Sequence, residues 1–132
     1  FPNVTSLQDL SIGLSNVSTI QAGAFRGLGC LWRLSLADNR ISRLEPDTFH
    51  GLERLGYLYL NKNAISTIAW SAFRGLPSLS NLQISENKLT AVPVEALLQP
   101  GALKIAYLKQ NLITTIHSNV MRLLQQNEHL QV

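Results

Sequence analysis

The side chains able to do covalent or metal chemistry are few and scattered. The 132-residue chain has one cysteine, Cys30, and three histidines, His50, His117 and His129. No histidine has a partner at metal-ligand spacing, and a single thiol excludes an internal disulfide or a cysteine-built zinc site. Cys30 is expected to be a half-buried small apolar residue, with an intermolecular disulfide as the alternative. No H-E-x-x-H, G-x-S-x-G or phosphate-loop motif occurs. The expectation is therefore a non-enzyme with no cofactor and no metal. The chemistry that remains is contact. Of five Trp and Tyr residues, Trp32, Tyr57, Tyr59 and Tyr107 fall near a 24-residue spacing, and such side chains dominate binding hot spots.

Composition narrows the partner. The chain is 45% hydrophobic and 14% charged, which supports a buried core and excludes disorder. A net charge of +3 without a Lys/Arg cluster leads us to expect no nucleic-acid partner. The apolar runs are too short for a membrane span, and no signal-peptide pattern is present.

The elements that must position the aromatics come from a repeat. With Leu7 as position 1, the frame recurs every 24 residues at Leu31, Leu55, Leu79 and Leu103. Position 4 is Leu10, Leu34, Leu58, Leu82 and Ala106, and position 6 is Ile12, Leu36, Leu60, Ile84 and Leu108. Position 9 is Ser15, Asn39, Asn63, Asn87 and Asn111, and position 19 is Phe25, Phe49, Phe73, Leu97 and Met121. Side chains alternate along a strand, so positions 4 and 6 face a core while positions 3 and 5 face out. Strands are expected near 9–11, 33–35, 57–59, 81–83, 105–107 and 129–131, all parallel in one sheet. The Phe column should stack as a buried spine. The Asn amide should bond open backbone in its own and the next turn. The Ser/Thr column at position 12 (Ser18, Ser42, Ser66, Thr90, Thr114) should bury its hydroxyls against backbone groups.

This pattern, L-x-x-L-x-L-x-x-N-x-L, resembles the leucine-rich repeat. The 24-residue length and Phe49-His50-Gly51-Leu52 are similar to the typical class of extracellular repeats found in variable lymphocyte receptors, Toll-like receptors, Slit proteins and small proteoglycans. The regular repeat and aromatic-polar outward columns look most like the variable lymphocyte receptors. The resemblance implies an α/β solenoid: a curved parallel sheet on the concave side, with loops and short helical turns on the convex side. It divides the single domain 1–132 into repeats 7–30, 31–54, 55–78, 79–102 and 103–126, with partial repeats 1–6 and 127–132. It also implies an extracellular, secreted or cell-surface protein that binds a protein or microbial-surface carbohydrate or polymer in immune recognition. The alternative is a structural or adhesion protein of the matrix or nervous system.

Residues 24 apart become lateral neighbours, so the outward columns can be written down. They give a candidate ligand-binding set of Asp9, Trp32, Arg33, Asp38, Tyr57, Tyr59, Lys62, Asn81, Gln83, Glu86 and Tyr107. Asp38, Lys62 and Glu86 alternate in sign along position 8; they either form lateral ion pairs or flank the contact surface and supply selectivity. Arg26, Arg74 and Arg122 share position 20 on the outer side. Phe1 falls on position 19 and Val132 on position 6, so the frame starts and stops inside repeats; a longer parent protein is expected, with Val120 to Leu124 as part of a helical closure in the alternative. Asn3-Val4-Thr5 and Asn16-Val17-Ser18 are N-glycosylation sequons, making Asn3 and Asn16 candidate glycan acceptors.

Overall fold

The computed structural model describes residues 6–125 and 129–131. Six three-residue strands, β1 (Asp9–Ser11), β2 (Arg33–Ser35), β4 (Tyr57–Tyr59), β6 (Asn81–Gln83), β7 (Ile105–Tyr107) and β8 (His129–Gln131), pair in parallel in the order β1-β2-β4-β6-β7-β8. Every ladder is in the 24-residue register, as in Leu34 opposite Leu58 and Leu58 opposite Leu82. The expected sheet and its strand positions are therefore present. Unforeseen is a second parallel pair, β3 (Arg43–Leu44) with β5 (Thr67–Ile68), formed where the chain leaves the first sheet. Two short helices, α1 (Val94–Leu97) and α2 (Val120–Leu124), pack together in successive turns. The helix expected at Val120 to Leu124 exists, but it does not close the stack, because β8 follows it and pairs with β7.

The core is the space between the sheet and the outer loops. Leu34, Leu58 and Leu82 in the strands, and Leu36, Leu60 and Ile84 just after them, are buried in it. Phe25, Phe49 and Phe73 stack with ring centroids 6.0 Å apart at both steps and interplanar angles of 14° and 9°. Phe49 and Phe73 are both 0% exposed, as the spine reading requires. Leu97 continues the column in a buried state, whereas Met121 is exposed. Gly27, Gly51 and Gly75, two places beyond each Phe, have φ of +91°, +99° and +81°. This is the conformation that favours glycine, and it explains the recurring Gly in that loop.

The asparagines act as the expected backbone clamps, with one correction of direction. Asn63 Nδ2 donates to Leu60 O in its own turn (3.1 Å) and to Leu36 O in the preceding turn (3.0 Å), while its Oδ1 accepts from Ile41 N (3.0 Å). Asn87 repeats this against Ile84 O, Leu60 O and Ile65 N. Each amide reaches back, not forward to the next turn. Asn87 is buried and Asn63 half-buried, both with amides satisfied. The Ser15 hydroxyl, in the place of an amide, donates to Gly13 O in its own turn at 2.9 Å and makes no bond to a preceding turn among the described residues.

Two further expectations fail. The position-12 hydroxyls are exposed, not buried. Ile41 and Leu44 take the inward directions there, so Ser42 between them looks outward; only a long contact from Ser66 Oγ to Ser42 O, 3.5 Å, remains. Position 8 is not strand. Leu14, Asp38, Lys62, Glu86 and Gln110 have φ of 53°, 58°, 57°, 57° and 59°. A left-handed residue thus breaks the alternation just before each position 9.

Phe49→Ala is expected to lower unfolding free energy by about 3–5 kcal/mol, the range for an aromatic lost from a packed core. Asn87→Ala should cost about 1–3 kcal/mol through unpaired buried backbone. Denaturant melts read both, and a shift well under about 1 kcal/mol for Phe49→Ala would show an unpacked column. At position 8, Glu86→Val should cost about 1 kcal/mol because a β-branched residue is forced left-handed, while Glu86→Asn should cost nothing.

Candidate ligand-binding face

Parallel register turns the outward positions into rows. One row runs Asp9, Arg33, Tyr57, Asn81, Ile105, and a second runs Ser11, Ser35, Tyr59, Gln83, Tyr107. The structure brings Asp9, Arg33, Tyr57, Tyr59, Asn81, Gln83 and Tyr107 onto one face, with Trp32 just before β2 at its margin. Strands spaced about 4.8 Å apart put Trp32 and Tyr107 roughly 15 Å from each other. Asp38, Lys62 and Glu86 do not share that face as strand residues. They stand exposed in the left-handed turns at the strand exits, and no ion pair joins them. Backbone hydrogen bonds still tie these tips from turn to turn, as in Lys62 N to Ser85 O at 3.1 Å and Glu86 N to Lys109 O at 2.9 Å, but the side chains form no lateral bridge.

The aromatics are ordered by specific contacts. Trp32 and Tyr57 meet edge to face at 5.7 Å and 82°, and they remain 44% and 38% exposed. Arg33 Nη1 donates to both Asp9 oxygens at 3.1 and 3.2 Å, and the guanidinium carbon lies 5.0 Å from the centre of the Tyr59 ring. The Arg33 charge is thereby neutralised, and the Tyr59 ring is held by a cation–π contact. Sequence reasoning missed this diagonal contact. The signal was available, since long side chains on neighbouring strands reach one position off the direct partner. Asn81 Oδ1 is buried with no hydrogen-bond donor among the described residues. Such an unsatisfied acceptor costs stability and sits in the middle of the row between Tyr57 and Ile105.

The convex side carries different chemistry. Arg74 donates from Nε and Nη2 to the two Asp47 oxygens at 3.1 and 2.9 Å, and lies 5.8 Å from the exposed Trp70 ring. Arg122 reaches Glu95 at 3.1 Å. Two of the three position-20 arginines are thus paired away from the concave sheet. A shallow cleft of about 780 Å³ opens on the loop side, lined by His50, Gly51, Glu53, Gly75, Pro77 and Gln99 among others. It brings none of the expected site residues together. Cys30 is half-buried with a free thiol. Asn16 is exposed, Asn3 lies outside the described residues, and no helix among the described residues is long and apolar enough to cross a membrane.

The Arg74 hydrogen bonds hold the Asp47 carboxyl below the usual carboxylate range, outweighing desolvation. The contribution of this exposed pair is present above the unfolded carboxylate value and is lost as pH falls through the lowered folded value. Arg74→Gln should return Asp47 to ordinary titration in a carboxyl-resolved NMR experiment; an unmoved midpoint would show that the pair does not form in solution.

Comparison with known proteins agrees with the fold. A family model described as leucine rich repeat matches residues 30–89. Reticulon-4 receptor-like 2 from Rattus norvegicus is 52% identical over 59 residues, 44% of this chain and 13% of that protein. The Homo sapiens protein of the same name is 52% identical over 56 residues, 42% of this chain and 13% of that protein. A crystal structure of a TLR13–ssRNA13 complex superposes with a TM-score of 0.89 at 26% identity, covering 96% of this chain and 18% of that one. The chain thus spans a small fraction of the length of the relatives it matches.

Proposed function

We propose that this leucine-rich repeat solenoid is a non-enzymatic recognition module of receptor type that grips a macromolecular ligand on its concave sheet. The observation that carries the reading is the register-locked patch of Trp32, Tyr57, Tyr59 and Tyr107, partly open to solvent on the outward side of the sheet. Half-wet rings on a rigid support are what a partner desolvates on binding. A protein-sized partner needs about 800 Å² per side, which suits an open face better than a closed cavity would. We read residues 1–132 as one unit of five repeats with partial repeats at both ends, placed in an extracellular or cell-surface ectodomain.

The ligand class we favour is a protein or a microbial-surface carbohydrate or polymer, in immune recognition like that of the variable lymphocyte receptors. The similarity to a Toll-like receptor supports an innate immune setting. A second reading, a cell-surface adhesion or signalling receptor, draws support from the 52% identity to a receptor-like protein. That TLR13 structure contains single-stranded RNA, so nucleic acid enters the test directly. Our reading still disfavours it, because Arg33 is neutralised by Asp9 and Lys62 stands between the exposed Asp38 and Glu86 turns.

The test is a binding screen of the chain against glycan arrays, whole bacteria, recombinant ectodomains and single-stranded RNA. Tyr59→Ala and Tyr107→Ala should each weaken binding of the selected ligand at least about tenfold, the effect of losing a hot-spot aromatic. Arg26→Ala and Arg74→Ala on the outer side should leave it unchanged. Loss of binding in the outer pair alone would end the concave-face reading. A dominant effect of Asp38→Ala and Glu86→Ala, weakening further with salt, would mark a cationic ligand.

A further inference from the structure

Ten asparagines occur in the chain, and the fold gives them different fates. Asn39, Asn63, Asn87 and Asn111 have Nδ2 committed to carbonyls of the ladder. Asn16 is different. It is exposed, it adopts φ +57°, and its side chain makes no hydrogen bond among the described residues. Its neighbours on either side are held by the ladder asparagine of the next turn: Asn39 Oδ1 accepts from Ser15 N and Val17 N at 3.1 Å each. The backbone around Asn16 is thus pinned while its amide projects freely. The next residues complete a sequon, Asn16-Val17-Ser18, and Ser18 is exposed as well.

A second observation lies beside it. The turn tips at position 8 are Asp38, Lys62, Glu86 and Gln110 in later turns, all polar, but in the first turn the tip is Leu14, 85% exposed. An isolated leucine at that tip is the one apolar member of a polar row, and it stands two residues from Asn16. A sugar attached there would cover it.

We propose that Asn16 is an N-glycosylation site whose glycan sits on the strand-exit edge of the first turn, covering Leu14 and leaving Tyr57, Tyr59 and Tyr107 open. The proposal rests on the extracellular placement argued above. In the transfer, Asn16 Nδ2 forms a bond to the anomeric carbon of an oligosaccharide carried on a lipid pyrophosphate. The bond from that carbon to the pyrophosphate oxygen breaks, the lipid pyrophosphate leaves with the electron pair, and Nδ2 gives one proton to a base of the transferring enzyme. Nothing is oxidised or reduced.

The experiment expresses all 132 residues behind a cleavable secretion leader in a eukaryotic host, with Asn3→Gln to silence the other sequon. This chain is compared with versions that add Asn16→Gln, Ser18→Ala or Ser18→Thr. Material from the medium and from the secretory lumen is treated with a glycan-removing amidase and mapped by peptide mass spectrometry. The expected result is a slow-migrating, amidase-sensitive band in the parent and in Ser18→Thr, absent from Asn16→Gln and Ser18→Ala, with Asn16 converted to Asp on release. Recovery of the Asn16 peptide unmodified from the parent chain overturns the proposal. Ligand binding that persists in that material and still depends on Tyr59 and Tyr107 would leave the receptor reading standing, so the two failures are separable.

Discussion

The first four turns of this solenoid are each closed by an asparagine that belongs to the following turn. The amide of Asn63 accepts from Ile41 N and donates to Leu36 O, both one turn back, while also holding its own Leu60 O. A backbone that leaves a three-residue strand and curls around a core cannot satisfy those groups by itself, and buried unpaired amides are costly. The ladder from Asn39 to Asn111 supplies the missing partners, and the fixed 24-residue translation follows from it. The Phe25–Phe49–Phe73 stack then fills the far side of the core at the same spacing. Every other feature inherits this register.

The candidate face is the clearest inheritance. Its rows exist because neighbouring strands never slip, so Arg33 meets Tyr57 directly and reaches Tyr59 on the diagonal. Inward residues carry stability and outward residues carry contact chemistry, so the two demands rarely compete. The exception is Asn81, whose buried oxygen has no donor among the described residues.

Much of this was legible in the sequence because a strict repeat converts chain distance into spatial adjacency. The strands, the Phe spine and the outward aromatic rows needed only the frame and the alternation of a strand. The failures begin where the strand ends. Once Asp38, Lys62 and Glu86 turn left-handed, alternation no longer says where a side chain points. The reach of the amides toward the preceding turn, the exposure of Ser42 and Ser66, and the small β3–β5 pair all lie beyond that break. The Arg33–Tyr59 contact was missed for another reason: it depends on side-chain length across a diagonal, which a column-by-column reading ignores.

The backward reach of the ladder also gives the chain a direction in time. The groups that close a turn lie 22 and 27 residues ahead of the backbone they satisfy. A chain emerging from the ribosome therefore cannot complete such a turn until the next has been made as far as its position 9. Leu36 O and Ile41 N wait for Asn63, and Leu60 O and Ile65 N wait for Asn87. The nascent solenoid always trails an unfinished turn behind the point of synthesis, and an interruption in translation would leave that last turn, and no earlier one, without its clasp.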